Sequence, residues 1–218
     1  MKIDLMSRYP ITQRSSIISE RVKVSNADRK LAQKFDKEYF DGPRRLGMGG
    51  YSYNSKFFKP VVEDMIDYYG LTKNSSILDV GCAKGFMLYD FKTALPECSI
   101  AGIDISQYCL DNSLESVKPF LSHGSCDKLP YADNSFDLVI SIATIHNLDV
   151  DGVKKSLKEI MRVTKKNAFI KVNGFTNENE LKNLNNWNLV AKTILHEDDW
   201  ISIFNETGYT EDYFWFNT

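Results

Sequence analysis

From about residue 55 onward, short apolar runs alternate with stretches whose apolar residues recur at helical spacing. The runs within 76–80, 99–103, 136–142 and 167–173 are nearly continuous in apolar side chains, the pattern of strands buried on both faces of a parallel sheet. Residues 55–70 place Phe57, Phe58, Val61, Val62, Met65, Ile66 and Tyr69 on one side of a helix that Gly70 would end. Helices are predicted over 84–94, 107–117 and 150–163, and a shorter strand over 119–123. A polar stretch, 173–188, then leads to a helix over 197–206 and a last strand over 213–216, with 189–195 as a candidate for one more strand. Residues 1–36 are polar and charged with scattered apolar positions, which predicts one or two helices lying over the rest. The alternation makes the expected fold α/β: a doubly wound, mostly parallel sheet with an N-terminal helical extension.

The first strand ends in Asp79 and is followed by Gly81, Cys82, Ala83, Lys84 and Gly85. Glycines there allow a tight turn and close approach of backbone to a ligand, and the following helix N-terminus favours an anionic group. The second strand leads to Asp104, about 20 residues on, where a nucleotide-binding βαβ unit holds a ribose. A dinucleotide fingerprint would need glycine at positions 83 and 86, which are Ala83 and Phe86. An NAD-dependent oxidoreductase is therefore the weaker alternative.

The order Asp79, Gly81, Gly85, Asp104 resembles motif I and the acidic motif of class I S-adenosylmethionine-dependent methyltransferases. Residues 129–141, from Leu129-Pro130-Tyr131 to Phe136-Asp137-Leu138-Val139, resemble that family's adenine-side segment. Residues 157–163 are similar to the helix before its fifth strand. The resemblance covers roughly 60–175 and implies S-adenosylmethionine as cofactor, with S-adenosylhomocysteine as product. It further implies a cofactor set of Asp79, Gly81, Cys82, Ala83, Gly85, Asp104, Ile105, Ser125, Cys126 and Ser141, with Asp104 on the ribose and Ile105, Ser125 and Cys126 beside the adenine. The chain departs from the family at Ala83, at Ser125 and in the 164–168 turn. On this reading 1–55 is a cap segment and 56–218 the methyltransferase domain.

Composition narrows the partners. Across 218 residues the formal charge is −2, so no global basic field points to nucleic acid. No apolar run reaches the length of a membrane span, and the four cysteines lack metal-type spacing, so reduced thiols, no metal and a cytoplasmic location are expected. No [DNS]-P-P-[YFW] follows the fourth strand, which argues against methylation of base amino groups. A small polar or anionic acceptor is expected, such as a sugar or phosphorylated metabolite of surface-polysaccharide synthesis.

Methyl transfer needs alignment and, for a protonated nucleophile, a base. His146 stands at the carboxyl end of the fourth strand and is the candidate base for O-methylation, with Thr144 and Asn147 as substrate contacts. The glycine- and tyrosine-rich 38–53 segment offers Arg44 to the substrate and Arg45, Tyr51 and Tyr53 to the cofactor. His196 is a further candidate substrate contact. A non-catalytic protein that binds the cofactor as a regulator or partner is the remaining alternative.

Overall fold

The computed structural model describes residues 1–10 and 15–216. Seven strands form its centre: β1 (Ser76–Val80), β2 (Ser99–Asp104), β3 (Leu121–His123), β4 (Phe136–Ile142), β5 (Thr164–Phe175), β6 (Leu195–His196) and β7 (Asp212–Phe216). Their order is β3-β2-β1-β4-β5-β6, with β7 also paired to β5, and every pairing is parallel. Order reverses between β1 and β4, the place where such sheets open a crevice at their carboxyl ends.

Helices cover both faces. α4 (Ser55–Tyr69) and α5 (Phe86–Ala94) pack Val61, Met65, Leu88 and Phe91 against Ile77, Leu138 and Phe169. On the other face α7 (Val150–Val163) and α9 (Glu197–Thr207) bring Val153, Leu157, Trp200 and Phe204 to Val139, Ile170 and Trp215. The N-terminal helices begin with α1 (Ser15–Arg21). A smaller cluster of Val24, Ala32, Leu46, Leu189 and Val190, with Leu31 and Tyr39 packed against it, joins α2 (Asn26–Ala32) and α3 (Lys37–Phe40) to the segment before β6.

Three elements differ from the sequence expectation. α6 stops at Asp111 rather than 117, and 118–120 forms a 3-10 turn around Pro119, whose missing N–H shortens β3. The polar stretch contains a helix, α8 (Glu178–Trp187), whose start is set by Asn177 accepting a hydrogen bond from the Glu180 amide at 3.0 Å. Of the candidate strand 189–195 only Leu195 pairs with β5, in a two-residue strand completed by His196. Its earlier amides are spent elsewhere: Val190 and Ala191 donate to Asn188 Oδ1, and Lys192 and Thr193 donate to the His146 carbonyl.

Candidate active site

β1 runs out at Val80 into a turn with Gly81 at φ 87° and Ala83 at φ 47°. A Cβ at Gly81 would run into the Thr144 side chain, so only glycine brings this turn onto the end of β4. The Gly81 amide donates to the Ile103 carbonyl at 2.8 Å, tying the turn to β2. Asp104 then accepts from the Ala83 amide at 2.7 Å and the Ser106 amide at 2.8 Å, which fixes its carboxylate at the cavity edge. Burial raises the Asp104 pKa while those two amides oppose the rise. Asp79, 4% exposed behind it, is pushed to about 8 by burial and by the Asp104 charge. Ile105 follows with 53% of its surface exposed, an apolar shelf beside the carboxylate.

The 35–53 segment closes over this crevice. The Ser106 hydroxyl donates to the Phe35 carbonyl. Asp41 accepts from Lys84 Nζ at 2.7 Å, the Tyr108 hydroxyl at 2.6 Å and the Tyr51 amide at 2.7 Å. Burial pushes the Asp41 carboxyl up, but these donors outweigh it and hold the pKa below the usual carboxylate range. Tyr51 lies against Phe86 with ring centres 4.8 Å apart. Beneath the cover is a cavity of about 850 Å³, whose lining includes Gly81, Ala83, Asp104, Ile105, Ser125 and Cys126. That volume is near the top of the roughly 300–1,000 Å³ usual for small-molecule sites.

Residues 78–172 match the family model described as a methyltransferase domain. That segment, from β1 into β5, carries a methyltransferase domain of the class I S-adenosylmethionine-dependent kind. An uncharacterized protein of Haemophilus influenzae is 27% identical over 180 residues, 77% of this chain and 68% of that protein. A demethylmenaquinone methyltransferase of Staphylococcus aureus is 34% identical over 51% of this chain, and the match spans less than half (46%) of its own length. In fold, the chain resembles the Bacillus YcgJ protein, with TM-score 0.56 and 17% identity over 67% of this chain and 66% of that one.

The methyltransferase crevice fits the family's cofactor on its own chemistry. Asp104 presents a fixed acceptor to ribose hydroxyls, and the exposed Ile105 offers a flat apolar contact for a base. Asp79 is a nearly buried acid whose charged neighbour is another acid, a setting that a cationic ligand end would relieve.

The structure brings Gly81, Ala83, Asp104, Ile105, Ser125, Cys126, Thr144, His146, Asn147, Arg44 and Tyr51 to one cavity. Asp79, Cys82, Gly85 and Ser141 stand behind its wall; Ser141 is 1% exposed and its hydroxyl is bound to the Val80 carbonyl at 3.0 Å. Three expectations are corrected. Arg45 points away and pairs with Asp28 at 3.3 Å, 48% exposed. Tyr53 packs on Phe86 and Tyr89 and donates its hydroxyl to Asp90 at 2.6 Å, outside the cavity lining. His196 caps α9 by accepting the Asp198 amide at 3.2 Å, also away from the cavity.

His146 reaches the cavity but not with the expected chemistry. It is 4% exposed, and its Nδ1 accepts the Asn173 amide at 3.1 Å, which puts the neutral ring's proton on Nε2. Burial, with Lys171 nearby, lowers its pKa to about 3. Such a ring is a hydrogen-bond donor to a ligand rather than a base near neutral pH. Sequence reasoning missed Arg21, Lys171, Trp187 and Lys192, which also line the cavity. Of these only Trp187, a lone indole in a polar stretch, carried a signal that could have flagged it.

Proposed function

We infer that the protein transfers a methyl group from S-adenosylmethionine to a small anionic acceptor, leaving S-adenosylhomocysteine. One observation carries the acceptor's charge. Among the described residues, the cavity is lined by Arg21, Lys34, Arg44, Lys171 and Lys192, against Asp104 as its one acid. Low-dielectric walls focus that positive potential on whatever enters beside the cofactor. When bound, the cofactor supplies an electrophilic methyl on a sulfonium, displaced in line by a lone pair of the acceptor. Asp104 holds the ribose, Ile105 and Cys126 flank the adenine, and Asp79, from behind the wall, offsets the charge of the cationic methionine end. Tyr51 and the 35–53 cover keep water out. An anionic or weakly acidic oxygen is the favoured nucleophile, because it needs little help from a base and His146 offers a donor through Nε2 instead.

Calorimetric titration with S-adenosylmethionine, S-adenosylhomocysteine and NAD tests the cofactor on the parent and on Asp104→Ala. Both adenosyl ligands should bind, and the variant should bind them at least about tenfold more weakly, roughly 1.4 kcal/mol. Binding of NAD alone would overturn the reading. Labelled methyl transfer into a panel of phosphorylated and carboxylated small molecules then separates an enzyme from a cofactor-binding regulator, which would bind and never turn over.

A further inference from the structure

In the cavity lining, two guanidinium groups lie over one indole. Arg21 of α1 has its Cζ 4.4 Å from the centre of the Trp187 ring, and Arg44 of the cover has its own at 5.8 Å. Arg21 is 5% exposed. Its Nη1 donates to the Trp187 carbonyl at 2.8 Å and its Nη2 to the Gly47 carbonyl at 2.6 Å, while Arg44 Nη1 donates to that same Gly47 carbonyl at 2.6 Å. These acceptors are neutral carbonyls. Among the described residues neither arginine has a carboxylate partner; Arg44, Tyr39 and Arg29 act on Arg21, and Tyr39 and Tyr9 act on Arg44. Arg21 Nε is buried with no hydrogen-bond partner.

Two like charges, Arg21 buried and Arg44 half-buried, repel, and each has lost part of its hydration. Burial first, and then the Arg44 charge, lower the Arg21 pKa to about 10. A guanidinium pair in that state, with a donor unspent, gains most from a carboxylate or phosphate that accepts from both forks. The surroundings also limit the ligand's shape. Phe216 lies beside Trp187, with ring centres 6.5 Å apart, and Tyr9 and Phe58 line the same cavity, so the charged head is followed by a flat body that stacks on aromatic rings. Lys171 lies over the Tyr9 and Phe216 rings and adds to the positive field there.

We propose that Arg21 and Arg44 over Trp187 form the anion subsite of the acceptor, which is a small molecule bearing a carboxylate or phosphate on an apolar, planar body. The assignment rests on the methyltransferase reading above only in taking this ligand to be the methyl acceptor. The competing assignment gives the arginines to the methionine carboxylate of the cofactor.

The test is calorimetry on the intact protein with benzoate, phenyl phosphate and benzyl alcohol, each with and without saturating S-adenosylhomocysteine. Benzoate or phenyl phosphate should bind at least tenfold more tightly than benzyl alcohol, and the tighter of the two tells carboxylate from phosphate. Arg44→Gln and Arg21→Lys should each weaken the anion tenfold or more and change S-adenosylhomocysteine affinity less than twofold. If Arg21→Lys fails to fold, Arg44→Gln decides, because the Arg44 hydrogen bond is local to its own turn. Equal binding of the three probes, no binding of either anion, or anion binding untouched by both variants overturns the subsite. A tenfold loss of S-adenosylhomocysteine with unchanged anion binding overturns it in favour of the cofactor carboxylate. Arginine-dependent anion binding by a protein that ignores S-adenosylhomocysteine would keep the subsite and sink the methyltransferase reading.

Discussion

Asp79 has its carboxyl pushed to about 8 because β1 buries it and Asp104 stands nearby. A cationic ligand end prefers the ionised form, so S-adenosylhomocysteine should bind more tightly as pH rises from 6 through 8. Asp79→Asn should flatten that slope; a parent with no slope by calorimetry would disconnect Asp79 from the ligand. His146 titrates the other way. Its folded pKa of about 3 lies below the ordinary 6.5, so between those values the unfolded chain binds a proton that the folded one refuses. Stability conferred by the neutral ring is complete above 6.5 and falls as pH drops toward 3, by roughly 1.4 kcal/mol per pH unit at most. His146→Asn, which keeps an acceptor for the Asn173 amide, should reduce the stability lost between pH 7 and 4.5 by about 2 kcal/mol in urea unfolding. At this scale the sequence showed which residues stand at strand ends. It could not show that a backbone amide takes His146 Nδ1, because that amide belongs to β5, 27 residues away.

Among the elements, α7 was fully legible. Asp149 caps it by accepting the Gly152 amide at 2.9 Å, and Val153, Leu157, Ile160 and Val163 form its buried stripe. Asp149→Ala should cost about 1 kcal/mol, read from the urea midpoint, with cofactor affinity unchanged. β1, β4 and the length of α4 were legible for the same reason: their apolar pattern is dense enough to demand burial on a stated face. α8 was not, since Leu184 is its one buried residue and its polar run is held by tertiary contact with α1 rather than by a periodic stripe. β6 was misjudged because backbone donors were counted as free for pairing when Asn188 and the His146 carbonyl take them.

At the scale of the whole molecule, the cover and the sheet meet through Asp41. Lys84 is in the glycine turn and its side chain is 8% exposed, so Asp41 is both its counter-ion and the clasp of the cover. Asp41→Asn leaves that ammonium without a charge partner. The change should destabilise the fold by about 2 kcal/mol, discounted for the partly exposed Asp41, and speed S-adenosylhomocysteine release in stopped-flow measurements. Unchanged release would mean that the cover is held by its aromatic packing alone. By itself the sequence determined the parallel α/β sheet, the glycine turn and the Asp104 that follows it, because dense apolar runs and short-range spacing are local properties of the chain. Only the tertiary structure decided what faces the cofactor site. It turned Arg45 to the surface and Arg21 inward, set two arginines on the Trp187 indole, and made His146 a donor. Each of those outcomes depends on residues from distant segments meeting at one point, which no local pattern encodes.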